Sequence, residues 1–198
     1  MENKDNILKN LNFKIDEVKL GVENPYKDYM ENYIINRIPA IVYNINDDNL
    51  LAFVPNNFEK YNILEENNII YQKVNYVTDK GVIITGDGDL KFVIIMPDNI
   101  DINIYYFIRK IKNYLLKYFI NVDVHNNDIM IKKKKVIGTV KNNINNMNVF
   151  MFQITFNDRT ELIKKICTES IKEVGFIDPN ILNAETLLEE ILSWFTNE

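Results

Sequence analysis

Apolar positions along the chain repeat with two periods. Between residues 24 and 37, "NPYKDYMENYIINR" places Tyr26, Met30, Tyr33 and Ile34 at the spacing of one helix face. Asn24 is a candidate cap, and Pro25 suits a first helical turn, where its missing N–H costs no hydrogen bond. Asp101 is the expected cap of "INIYYFIRKIKNYLLKYFI", in which Ile104, Ile108, Ile111, Leu115 and Phe119 form one apolar stripe. Asp158 and Glu161 read as a capping box ahead of "LIKKIC". A last helix is expected over residues 184–195, with Trp194 as a core anchor.

The second period is that of strands. "AIVYNI", "LLAFV", "IIYQKV", "GVIIT", "LKFVIIMP", "DIMI", "KKVIGTV" and "VFMFQITF" are short runs rich in β-branched and aromatic residues, divided by turn formers. "NNFEKYNILEENN" reads as a short polar helix or an irregular turn. "GDGD", Gly86 to Asp89, reads as a hairpin turn, because its two carboxylates would repel a phosphate. The order is helix, strands, helix, strands, helices, without regular strand–helix alternation. It predicts an α+β fold: a mixed or mainly antiparallel sheet with helices packed over it.

Composition narrows the picture little. A chain of 198 residues is expected to form one domain, with residues 1–22 as an N-terminal extension or edge strand. The net charge of −5 argues against coating nucleic acid. The single cysteine and single histidine exclude a disulfide framework and a Cys/His metal cluster. No apolar run reaches the roughly 18 residues of a membrane span, and the polar start lacks a signal-peptide pattern. A soluble cytoplasmic protein is expected.

Against that acidic background, "HNNDIMIKKKKVIGT" concentrates four lysines between two apolar segments. Ile129 and Ile131 alternate with Asp128 and Met130, as in a half-buried strand. Lys132 to Lys134 read as the solvated turn of a hairpin. Lys135 differs, because it enters the return strand near Gly138. His125 reads as a loop residue. Cys167, beside the apolar Leu162, Ile163 and Ile166, reads as a buried structural thiol.

"NDIMIKKKKVIG" resembles the N-D-[I/L]-x-[V/I]-x-G-[K/R]-K-[I/L]-[S/A]-G motif of lipoate–protein and biotin–protein ligases. Asn127, Asp128, Ile129, Ile131, Lys135 and Gly138 match it; Lys133 stands where those families often have glycine, and Ile137 where they have a small residue. Other segments resemble the lipoate side in the same order. They are "NPYKDYMENYIINR", "IVYNINDDNLLAFVPNN", "TGDGDLKFVII", and "IKEVGFIDPNIL" with "AETLLEEILSWF". Together they cover roughly residues 24–195.

The resemblance implies a fold of the biotin/lipoate protein ligase catalytic-domain type, without a separate accessory C-terminal domain. It implies attachment of lipoate or octanoate to a lysine of a lipoyl carrier domain or a glycine-cleavage H-like protein, through an acyl-adenylate made from ATP and magnesium. Lys135 would hold the acyl carbonyl and phosphate, since an amine attacking an acyl phosphate anhydride develops charge that a fixed cation stabilises. Asp128 would lie near magnesium, or would only cap the turn; Asn127 carries the same two readings. Gly138, Lys73 and Gly81 would border the ligand.

The family's R-R-x-x-G-G-G-A-V-x-H segment is altered here to "KVNYVTDKGVIIT". Only Gly81 remains of the glycine triplet, Thr85 replaces the histidine, and Lys73 falls near an arginine position. Asp89 stands where the family has asparagine, and "MFQIT" replaces H-G-T-L. Two alternatives stay open. One is octanoyl transfer from an acyl-carrier donor, with Cys167 as a possible thioester site, as in octanoyltransferases of the superfamily. The other is a non-catalytic relative that keeps the fold and binds a ligand or partner.

Overall fold

The computed structural model describes residues 4–19, 25–46, 50–54, 58–73, 83–166 and 174–196. Among them, six helices and ten strands follow in order: α1 (Lys4–Asn10), β1 (Lys14–Glu17), α2 (Pro25–Ile35), β2 (Ala40–Ile45), β3 (Leu51–Val54), α3 (Tyr61–Glu66), β4 (Ile70–Lys73), β5 (Ile83–Thr85), β6 (Leu90–Pro97), α4 (Ile104–Leu115), β7 (Val122–His125), β8 (Asp128–Ile131), β9 (Lys134–Ile144), β10 (Met147–Ile154), α5 (Thr160–Ile166) and α6 (Ala184–Ser193). A sheet of order β1-β2-β6-β10-β9-β8-β7 carries the fold, and β4-β3-β5 form a smaller one. Among the described strands only β1–β2 and β3–β4 pair in parallel, beside an isolated parallel bridge between Lys135 and Val174. The α+β class expected from the sequence is the one observed.

Alternation sorts the large sheet's side chains onto two faces. On one face Ile41, Leu90, Phe92, Ile94, Ile129, Ile137, Phe150, Phe152 and Ile154 meet α4 and α6 in the main core. Phe92 and Phe152 are register partners and stack with centroids 4.5 Å apart. The stripe expected on α4 is buried here through Ile104, Ile108, Ile111 and Leu115. On the other face Ala40, Val42, Val93, Ile95, Val149 and Met151 meet Tyr33 and Ile34 of α2. Fully burying such a side chain contributes about 1.5–3 kcal/mol relative to exposure.

Several local expectations are corrected. Asn103, not Asp101, occupies the N-cap position of α4; Asp101 instead lies 3.4 Å from the Lys4 ammonium. Glu161 pairs with Lys164 at 2.7 Å, while Asp158 accepts from the Thr160 N–H at 3.0 Å, which lowers its pKa. At α6, Asn183 caps through the Thr186 N–H at 2.9 Å, and Trp194 is buried. The expected cap Asn24 lies outside the described residues.

"GDGD" is a turn but not a hairpin, because β5 belongs to the small sheet and β6 to the large one. Asp89 is buried at this crossing. Its carboxylate pairs with Arg159 and accepts the N–H groups of Gly86 and Phe156, 3.1 and 2.9 Å away. Burial nevertheless pushes the carboxyl above its ordinary pKa, outweighing those partners. A Cβ on Gly86 would lie 2.6 Å from the Arg159 guanidinium, so a side chain there would displace this clamp.

Candidate functional site

Strands β7 to β10 are linked by three two-residue turns in which both residues have positive φ: Asn126–Asn127, Lys132–Lys133 and Asn145–Asn146. Paired positive φ matches the type I′ geometry that suits the right-handed twist of hairpins. Asparagine tolerates it; lysine does so at a cost of about 1–2 kcal/mol per residue. The turn is therefore Lys132–Lys133 alone, and Lys134 already belongs to β9. His125 closes strand β7 rather than lying in a loop. Strand β8 is buried on both sides, not half-buried as its alternation suggested.

A regular strand would place Lys135 and Gly138 on opposite faces. The register shifts instead: Ile129 pairs with Ile137, and Met130 with Lys135, leaving Val136 as the extra residue of a bulge. Val136 and Ile137 both enter the main core. The bulge thereby turns Lys135 onto the face of Gly138, the re-aiming for which bulges are known. A Cβ on Gly138 would lie 3.1 Å from Lys135 Cε and 3.2 Å from Nζ. Glycine there gives the ammonium its seat.

Asp128 Oδ2 lies 3.0 Å from Lys135 Nζ; the Asp128 side chain is 9% exposed and that of Lys135 35%. The Thr139 N–H donates to Asp128 Oδ1 at 3.3 Å, and Thr139 Oγ1 donates to the Asn127 carbonyl at 2.9 Å. On the far side of Lys135, the Gly175 N–H donates to its carbonyl at 2.8 Å. A Cβ on Gly175 would come within 2.7 Å of Lys134 Cβ. The lysine backbone is thus held from both sides while its ammonium faces outward.

From Gly138 a polar row crosses the sheet on the face shared with α2. Gly138 pairs with Gln153, Gln153 with Lys91, and Lys91 with Asn44. Directly opposed residues of antiparallel strands share a face. Lys91 is 3% exposed, and burial pulls its ammonium pKa down to about 7. Both amide atoms of Gln153, and Oδ1 of Asn44 and of Asn127, are buried without a hydrogen-bond partner. The Lys91 ammonium and the unsatisfied Gln153 amide nitrogen fit an oxygen of a carboxylate or acyl-phosphate head group, while the unsatisfied amide oxygens fit a donor.

Of the residues singled out in the sequence, Asn127, Asp128, Lys135 and Gly138 come together. Lys73 lies on β4 of the small sheet, its ammonium 5.1 Å from the Tyr61 ring centroid. Gly81 and Cys167 lie outside the described residues. Among the described residues no three His, Cys, Asp or Glu side chains gather to hold a metal. Magnesium at Asp128 would have to displace the Lys135 ammonium, so no step below passes through a metal. Lys91 and Gln153 were missed, although each is a polar break at an apolar-parity position of "LKFVIIMP" and "VFMFQITF".

No protein-family model matches the sequence, and a search of curated proteins returns no match. Solved structures do match. P. falciparum LipL1 in complex with lipoate superposes with a TM-score of 0.69 at 16% identity, over 92% of this chain and 59% of that one. This chain thus spans about three-fifths of the length of that relative. The bi-partite lipoate–protein ligase of Thermoplasma acidophilum, described along with its E2 lipoyl domain, gives 0.66 at 12% identity over 93% and 83%. An ATP-bound lipoate–protein ligase A gives 0.65 at 13% identity over 92% and 83%.

Proposed function

From a fold shared with lipoate–protein ligases, we propose that this chain transfers a lipoyl or octanoyl group to the lysine of a lipoyl carrier domain. The observation that carries the reading is the bulge-directed Lys135 ammonium. It is seated on Gly138 beside Asp128, at the end of the row that holds the unsatisfied amide of Gln153 and Oδ1 of Asn44. A polar seat of this kind is costly in a sheet centre unless something binds there. The E2 lipoyl domain described along with the T. acidophilum relative supports the class of acceptor.

Lys135 holds the acyl oxygen and stabilises the negative charge that develops when the amine attacks. Asp128 keeps the lysine aimed before the ligand arrives, and the Thr139 N–H fixes Asp128 in turn. ATP would supply the activation: the carboxylate would displace pyrophosphate from the α-phosphate to give the acyl-adenylate, and AMP would leave when the amine attacks. The apolar part of the acyl chain lies against the α2-side cluster of Val42, Val93 and Met151.

The test is the intact mass of an apo lipoyl domain after incubation with this protein. Magnesium-ATP with lipoate or octanoate forms one arm, and an octanoyl carrier protein the other. An acyl-sized gain that Lys135→Ala abolishes supports the reading, and the productive donor separates ligase from transferase. No gain from either arm, beside a working reference ligase, replaces it with a non-catalytic binding role.

A further inference from the structure

A half-buried glutamine whose two amide atoms are buried and unsatisfied is unusual inside a sheet, where native structures pair almost every buried polar group. Gln153 is such a residue. Its cross-strand neighbour on one side is Gly138, over which the Lys135 ammonium sits, and on the other it is Lys91. The amide therefore lies between two lysines. It presents a donor nitrogen and an acceptor oxygen, and Gly138 opposite carries no side chain between the amide and the Lys135 ammonium.

We infer that Gln153 is a catalytic residue of the proposed acyl transfer. Its Nε2–H donates to the same acyl oxygen that Lys135 holds, and its Oε1 accepts an N–H of the incoming amine. The inference rests on the acyl-transfer reading above and assigns the chemistry to a residue outside the lysine motif. These two partners meet only when an amine attacks a carbonyl. The amine nitrogen forms the new C–N bond, and the carbonyl π pair moves onto the oxygen between Gln153 and Lys135. That pair returns as the bond to the leaving phosphate oxygen breaks; the phosphate takes the bonding electrons, and the amine's surplus proton passes to water. Lys91, one strand further, adds positive potential beneath the developing oxyanion.

The account makes opposite predictions for stability and rate. Gln153→Met keeps the length and removes the unsatisfied amide. Burying an apolar group of similar shape in its place is neutral or stabilising, so the thermal midpoint rises by about 2–6 °C. The rate of transfer from preformed octanoyl-adenylate to an apo lipoyl domain falls about 10²–10³-fold, as for loss of one oxyanion donor. The KM for the lipoyl domain stays unchanged. A lower midpoint with an unchanged rate would make Gln153 purely structural and overturn the inference.

Failure of the underlying reading is separable. If the wild-type protein transfers nothing from any donor, the acyl-transfer reading falls by itself. Octanoate binding, measured by equilibrium dialysis, then decides whether Gln153 contacts an acyl ligand at all. A Kd weakened tenfold or more in Gln153→Met keeps Gln153 as a ligand-binding residue. An equal Kd, or no binding by either protein, removes it.

Discussion

The two faces of the large sheet use the same strands for different ends. The face under α4 and α6 is apolar from Ile41 through Leu90, Phe92 and Ile94 to Phe150, Phe152 and Ile154, and it closes with stacked aromatic rings. The face toward α2 begins the same way, with Val42, Val93 and Val149, and then breaks at one level into Asn44, Lys91, Gln153 and Gly138. The first face stabilises the fold. The second gives up stability, through a buried ammonium and unpaired amide atoms, at the level where Lys135 is seated. A feature that weakens a fold and is confined to one level of one face points to function more strongly than the lysine run did.

Substitutions on each face should separate these roles. The largest effect on stability is expected from Phe107→Ala of α4, in the core over the apolar face, a loss of about 3–5 kcal/mol in urea unfolding, because a fully buried ring leaves a cavity. Lys135→Met on the polar face should do the reverse. Transfer falls by about 10²–10³-fold, while stability changes by no more than about 1–2 kcal/mol, since the lysine side chain is 35% exposed. If the stability loss in Lys135→Met matched that in Phe107→Ala, the division between the faces would fail.

A smaller effect follows from Lys91. Its pKa is near 7 when folded, against the ordinary lysine value of 10.5. Between those values the unfolded chain holds a proton that the folded chain has lost, so stability rises with pH, by up to about 1.4 kcal/mol per unit. Below pH 7 both states are protonated and this dependence ends. Urea midpoints from pH 7 to 9 should climb in the wild type and stay flatter in Lys91→Met; parallel curves would place Lys91 in a more solvated setting. Smallest is Lys133→Gly, which relieves one left-handed lysine and should add about 1 kcal/mol with no change in transfer.

Much of the fold was legible because its strands carry local signals. The Asn-Asn and Lys-Lys pairs between β-branched runs mark the hairpins of β7 to β10, and the stripe from Ile104 to Leu115 marks α4. The division into two sheets was not legible, since "GDGD" has the same composition whether the chain folds back or crosses over; buried Asp89 and its Arg159 partner decide that. Within the site, Lys135, Asp128 and Gly138 were picked out by motif. The bulge at Val136, which makes them neighbours, is a matter of register rather than of residue type. Lys91 and Gln153 escaped notice because a single polar residue in an apolar run acquires meaning only when the strands on either side are known. With Gly138 these two residues stand in line on β6, β10 and β9 and become one row only in the folded sheet.

The central claim is that the polar level of the α2 face receives the acyl head group. Its most direct test is a crystal structure of this protein with octanoate bound. The account predicts a carboxylate oxygen within about 3.2 Å of Lys135 Nζ, with Gln153 Nε2 donating to the same carboxylate and the alkyl chain lying toward Val42 and Val93. A carboxylate held elsewhere, with Gln153 still unpaired and Lys135 bonded only to Asp128, would contradict it.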